Sequence, residues 1–216
     1  MRKWMAAGLL MMSLMGTGLA QEPDAIKLPP PEMTGGMPVM QALKERHSTR
    51  EFSAKPLPLQ VLSNLLWAAN GVNRPDSGKR TAPSAKDWRN IDVYVAMAEG
   101  AYLFDPPTHT LKRVVTGDIR KLTGLQDFVA IAPVNLVYVS NLKRMVDSSA
   151  EQETFYSAAD TGFIAQNVYL FCASAGLATV VRGSVDRDAL AAALGLDNHH
   201  KIILAQTVGY PLSSTR

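Results

Sequence analysis

Apolar residues recur at helical or strand spacing along most of this chain, and the segments with neither period are equally distinct. Val39, Met40 and Leu43 lie at helical intervals and predict a short helix ending near Arg46. Pro58 at a first turn, then Leu59, Leu62, Leu65, Leu66 and Ala69, predict an amphipathic helix closed near Gly71. Ile91, Val93 and Val95 alternate as a strand, and Tyr102-Leu103-Phe104 pairs with Leu111 to Val115 around an Asp105-Pro106-Pro107 turn. Val134 to Val139, Thr179 to Arg182 and Ile202 to Val208 predict three more strands, apolar enough to be covered on both faces. Asp186 to Leu194 reads as a short last helix, started by an aspartate and stopped by Gly195.

The longest regular element runs from about Thr154 to Ala175. It carries no charge after Asp160 and is apolar nearly all round, so it predicts burial in a large core or a dimer interface. Gln166 and Asn167 within it are then buried amides in need of partners. Residues 21–37 form a Pro- and Gly-rich arm or linker, of a kind that wraps partner subunits. Residues 71–88 lack a period and read as a long loop, of a length that tends to be functional or disordered. Strands and helices mix without a regular βαβ alternation, which predicts an α+β sandwich and not a Rossmann sheet.

Residues 1–20 do not look like part of that fold. Arg2-Lys3, an apolar run from Met5 to Leu14 and Gly18-Leu19-Ala20 have the order of a cleavable secretory signal, which predicts a periplasmic or otherwise secreted protein with no membrane span. Residues 21–216 then suit one domain. Without Arg2 and Lys3 the chain has 20 basic and 19 acidic side chains, which gives no reason to expect a nucleic-acid partner. Cys172 is the only cysteine, so no intrachain disulfide is available.

Several chemistries lack local support. There is no GxSxG elbow, GxGxxG or P-loop, and His47, His109, His199 and His200 have no metal-ligand spacing, so no metal is expected. Cys172 lies in the apolar helix as packing filler. What remains is Arg46-His47-Ser48-Thr49-Arg50 at a helix-to-loop junction. Two guanidiniums and a hydroxyl within five residues suit a phosphate held by forked, charge-assisted hydrogen bonds, although ordinary solvated arginines give the same pattern.

The order of several stretches adds a resemblance. Arg46-His47-Ser48-Thr49-Arg50-Glu51-Phe52, Leu65-Leu66-Trp67-Ala68-Ala69-Asn70-Gly71, Arg80-Thr81-Ala82-Pro83-Ser84-Ala85, Asp160-Thr161-Gly162, Arg182-Gly183 and Val208-Gly209-Tyr210-Pro211 together resemble the nitroreductase family. The likeness is closest to its SagB-type thiazoline/oxazoline dehydrogenase-like branch and covers about residues 38–212. It implies a nitroreductase-like α+β fold over 38–216, with a mostly antiparallel central sheet, flanking helices and a long buried central helix. It further implies an FMN-dependent oxidoreductase, commonly a homodimer with flavin sites in the interface. Arg46, His47, Ser48 and Arg50 would hold the phosphate and ribityl chain, with Arg216 completing the phosphate site. Pro83, Ser84 and Ala85 would come from the other subunit, and the backbone at Arg182 and Gly183 would face the flavin edge.

Arg182 stands where many relatives have Glu. Its guanidinium is expected either near the flavin, favouring anionic ligands, or in solvent. The implied reaction is ping-pong two-electron transfer to nitroaromatics, quinones or similar small acceptors, with NAD(P)H as a candidate donor that an exported location disfavours. Dehydrogenation of a peptide or heterocycle, and flavin binding with little turnover, are the alternatives.

Overall fold

The computed structural model describes residues 25–212, so the expected signal over 1–20, the first residues of the arm and Arg216 lie outside the described residues. In chain order the strands are Ala25–Lys27 (β1), Val72–Arg74 (β2), Lys79–Arg80 (β3), Ile91–Met97 (β4), Gly100–Asp105 (β5), Thr110–Thr116 (β6), Val134–Asn141 (β7), Ala178–Arg182 (β8) and His200–Gly209 (β9). The helices are Val39–Glu45 (α1), Leu59–Asn70 (α2), Phe128–Ile131 (α3), Ala150–Ala175 (α4) and Arg187–Leu194 (α5).

A seven-stranded sheet has the order β1-β6-β5-β4-β7-β9-β8, and every neighbouring pair is antiparallel. Alternation along the strands sorts the core into two layers. Val93, Val95, Tyr102, Phe104, Leu136 and Tyr138 pack with Leu62, Leu65 and Leu66 of α2 and with Ile164, Val168 and Cys172 of α4. The other face, with Tyr94, Ala101, Val137 and Val139, is covered by Leu190 and Leu194 of α5. The central strands β4 and β7 are therefore covered on both sides, and the β5–β6 hairpin pairs Phe104 with Leu111 as its turn residues predict.

Short elements escaped the period. The stretch over 71–88 contains the small hairpin β2–β3, whose strands of three and two residues are too brief to show alternation. β1 adds a three-residue edge strand from within the arm, and α3 is a single turn. The segment beyond β1 lies along its own chain: Leu28 is buried in the core, Gln60 donates to the Pro30 carbonyl at 3.0 Å, and the Met37 amide donates to Ser174 Oγ at 2.7 Å.

α4 starts earlier than its apolar pattern, at Ala150, because Ser149 and Gln152 form a reciprocal capping box. Ser157, Asp160, Thr161, Ile164, Ala165, Val168 and Cys172 turn to the core at intervals of three and four. The opposite side is open in the single chain, where Phe155 is 65% and Phe163 47% exposed. Gln166 is exposed too, which corrects the expected burial of both amides, and Asn167 donates at 3.5 Å to the Ala69 carbonyl. No helix among the described residues is long and apolar enough to cross a membrane.

Candidate functional site

The Arg46–Arg50 segment leaves α1 and runs beside the end of β8. The Thr49 amide donates to the Thr179 carbonyl at 3.0 Å, which fixes the backbone of the segment against the sheet. Tyr169 of α4 organises its side chains: the phenol meets Ser48 Oγ at 2.8 Å and accepts from the Val181 amide at 3.0 Å, while the Arg46 guanidinium lies 5.3 Å from its ring centre. Arg50 is exposed with no ion-pair or hydrogen-bond partner for its side chain among the described residues. His47 is exposed and its Nδ1 turns back to the Glu45 carbonyl at 2.7 Å. Sequence reasoning missed Tyr169, since an aromatic on an apolar helix gives no sign of which strand its hydroxyl will reach.

The second group sits around Ser84. Asp160, 2% exposed, accepts from Ser84 Oγ at 2.7 Å and from the Ala85 amide at 3.2 Å, so one buried carboxylate clamps the Pro83-Ser84-Ala85 turn to α4. Burial raises the Asp160 carboxyl above its ordinary range, against the opposing pull of those two hydrogen bonds. Ser84 Oγ also accepts from the Arg89 amide at 2.9 Å. Lys86, Asp87 and Arg89 all adopt left-handed backbone, with φ of 49°, 55° and 49°. Each such non-glycine residue costs about 1 kcal/mol, and strain of this kind concentrates where geometry serves function.

Asp160 and Tyr169 are nine residues apart on one helix, which is about two and a half turns and 13 Å. The Arg46–Arg50 and Pro83–Ala85 groups therefore attach to opposite sides of α4.

Arg182 corrects both expectations for its side chain. It is 4% exposed and points neither to solvent nor to the Ser48 group. Alternation along β8 sends it to the face away from α4, where Nε donates to Thr207 Oγ1 at 3.0 Å, Nη1 to the Thr123 carbonyl at 2.7 Å and Nη2 to Asn135 Oδ1 at 3.1 Å. Gly124 makes room for it, since a Cβ there would fall 1.8 Å from Nη1. With no carboxylate beside it, desolvation lowers the guanidinium to about 10, still charged at neutral pH. Gly183, next along the chain, is exposed, and a Cβ added there would meet only Leu204 Cδ2 at 3.9 Å. Neither internal packing nor positive φ demands glycine at that position, so the surface above it is open to a close ligand.

Cys172 is fully buried and burial pushes its thiol well up, as suits packing filler. His200 Nδ1 lies 2.6 Å from Asp197 Oδ1, and Asp197 also meets Lys143 Nζ at 2.8 Å.

The donor set fits FMN in chemistry. Arg46 and Arg50 offer planar donors to a phosphate, Ser48 is positioned by a phenol, and Gly183 leaves an open backbone edge. Residues 43–210 match the family model described as Nitroreductase family. A candidate nitroreductase of Methanocaldococcus jannaschii is 34% identical over 152 residues, covering 66% of this chain and 76% of its own. The crystal structure of a candidate nitroreductase from Ralstonia eutropha JMP134 superposes with a TM-score of 0.85 at 47% identity, over 96% of this chain and 97% of that one. The microcin synthetase McbBCD complex of Escherichia coli, solved with truncated pro-MccB17 bound, contains a chain that shares the fold at TM-score 0.67 and 18% identity, over 98% of this chain and 85% of that one. On the match of its residues 43–210, the chain belongs to the nitroreductase family of oxidoreductases.

Proposed function

We propose that this protein is an FMN-dependent oxidoreductase, a homodimer that transfers two electrons between small molecules in a ping-pong cycle. The observation that carries the reading is the pair of half-sites on opposite sides of α4: the Ser48 side suits the phosphate, and the Ser84 turn of a second copy completes the pocket. The apolar residues Val39, Met40 and Leu43 of α1 and Phe155 and Phe163 of α4 are exposed in the single chain and provide the surface for that second copy.

Bound FMN supplies the two-electron chemistry, which is why the site needs no acid–base dyad. Arg46, Ser48 and Arg50 bind and orient the phosphate end. His47 completes the same segment with its ring turned onto the backbone, and Arg216 is assigned to the phosphate by resemblance alone. Asp160 holds Ser84 and Ala85 in place, and the open backbone at Gly183 lets a flat ring approach. Donor and acceptor use one pocket in turn, with nitroaromatics or quinones as acceptors and NAD(P)H as a candidate donor.

The signal-like pattern over residues 1–20 supports export, checked by the N-terminal sequence of protein recovered from the periplasm. The kinetic reading is tested by steady-state rates with NADPH and a nitroaromatic varied together. Parallel double-reciprocal lines support ping-pong transfer, and intersecting lines contradict it.

A further inference from the structure

Beside the Ser84 turn lies a cavity of about 300 Å³ whose charged lining is Arg74, Lys79, Arg80 and Arg89 against Asp87 and Asp160. The two carboxylates are already engaged. Asp87 closes a forked pair with Arg89, at 2.8 Å to Nε and 2.6 Å to Nη2, and Asp160 is taken by Ser84 and Ala85. Of the nearby acids outside the lining, Asp92 pairs with Arg144 at 2.8 Å and Asp105 with Lys112 at 2.6 Å.

Three cations are left over. Arg74 bonds only neutral partners, Asn73 Oδ1 at 3.0 Å and the Arg80 carbonyl at 2.8 Å. Lys79 is exposed and has no ion pair among the described residues. Arg80 is the telling one: its Nε is buried with no hydrogen-bond partner among the described residues, and burial first, then repulsion from Arg144 and Arg89, lower its pKa against a weaker pull from Asp92 and Asp105. A half-buried guanidinium with an unmet donor, facing other cations in a cavity, is stabilised by an incoming oxyanion that accepts from it.

We infer that this cavity selects a small ligand bearing a carboxylate or phosphate, with Arg80 as the residue that sets the preference. The inference deepens the proposed function and rests on it, since Pro83 and Ser84, which line the cavity, belong to the turn assigned there to the redox pocket. The enzyme would accordingly favour anionic donors or acceptors over neutral ones of the same shape.

Calorimetric titration of the protein, with and without added FMN, by benzoate, phenyl phosphate and neutral benzamide tests the cavity directly. At least one anion is expected to bind about tenfold tighter than benzamide, the scale of one hydrogen bond to a charged group. Arg80→Gln should remove that preference and Arg80→Lys should restore part of it. Lys79→Gln, at an exposed position that folding does not depend on, should reduce it about threefold. Tighter benzoate marks a carboxylate ligand and tighter phenyl phosphate a phosphate ligand.

Equal affinity for all three probes, or a preference untouched in Arg80→Gln and Lys79→Gln alike, overturns the inference. Turnover separates it from the parent reading. Protein that binds benzoate through Arg80 yet reduces neither 4-nitrobenzoate nor 4-nitrobenzamide keeps the cavity and loses the enzyme. Protein that reduces both with equal kcat/KM and binds the three probes equally keeps the enzyme and loses the cavity.

Discussion

Buried charge separates residues that hold the fold from residues that serve the site. Arg182 lies in the interior on three neutral acceptors, so its removal takes a donor from the Thr207 hydroxyl and the Thr123 carbonyl, while Asn135 Oδ1 keeps the Thr207 hydroxyl at 2.6 Å. Arg182→Ala should lower unfolding stability by about 3–5 kcal/mol in urea, and Arg182→Met, which refills the volume, by less. Its folded value of about 10 is below that of the unfolded chain, so the burial cost is constant through neutral pH and is relieved only above about pH 10.

Asp160 shifts the other way. Its folded carboxyl holds a proton more tightly than the ordinary 3.8, so stability falls as pH rises from that value through the raised one. Asp160→Asn should flatten this slope in thermal melts recorded across the acid range. At the cradle, Arg46→Ala and Arg50→Ala should each weaken FMN binding by about 1.5–3 kcal/mol in a fluorescence titration, and Tyr169→Phe by less, since Ser48 keeps its own hydroxyl. The grouping of Arg46 with Ser48 was legible because the two lie close in the chain. The direction of Arg182 was not, because it follows from the strand face on which the residue lands.

At the scale of elements, α4 connects fold to function. Its apolar character all round was readable in the sequence, but which side faces the sheet depends on partners distant in the chain, so Gln166 was misplaced in the interior. Its start was available in Ser149-x-x-Gln152, a capping pattern that an apolar period alone overlooks. The hairpin β2–β3 was hidden for the opposite reason, being too short for any period. With one side of α4 packed and Phe163 on the other, Phe163→Asp should convert a dimer to monomers in sedimentation and weaken FMN binding in parallel. A wild-type protein that sediments as a monomer with full flavin affinity would refute the shared site.

For the molecule as a whole, an antiparallel sheet covered by α2 and α4 on one face and α5 on the other leaves the Ser48 and Ser84 groups at opposite flanks of one helix. The sheet was legible where strands are long and alternate, and the family emerged from motif order, since no single stretch carries the chemistry. The proposed dimer rests on this separation of the Ser48 and Ser84 groups along α4. The most direct measurement is the visible spectrum of the purified protein after incubation with FMN and gel filtration. The account predicts retained flavin absorbance that bleaches under a reductant and returns on adding a nitroaromatic or quinone. Colourless protein that cannot be reconstituted, with the same result for wild type and for Arg46→Ala/Arg50→Ala, would contradict it.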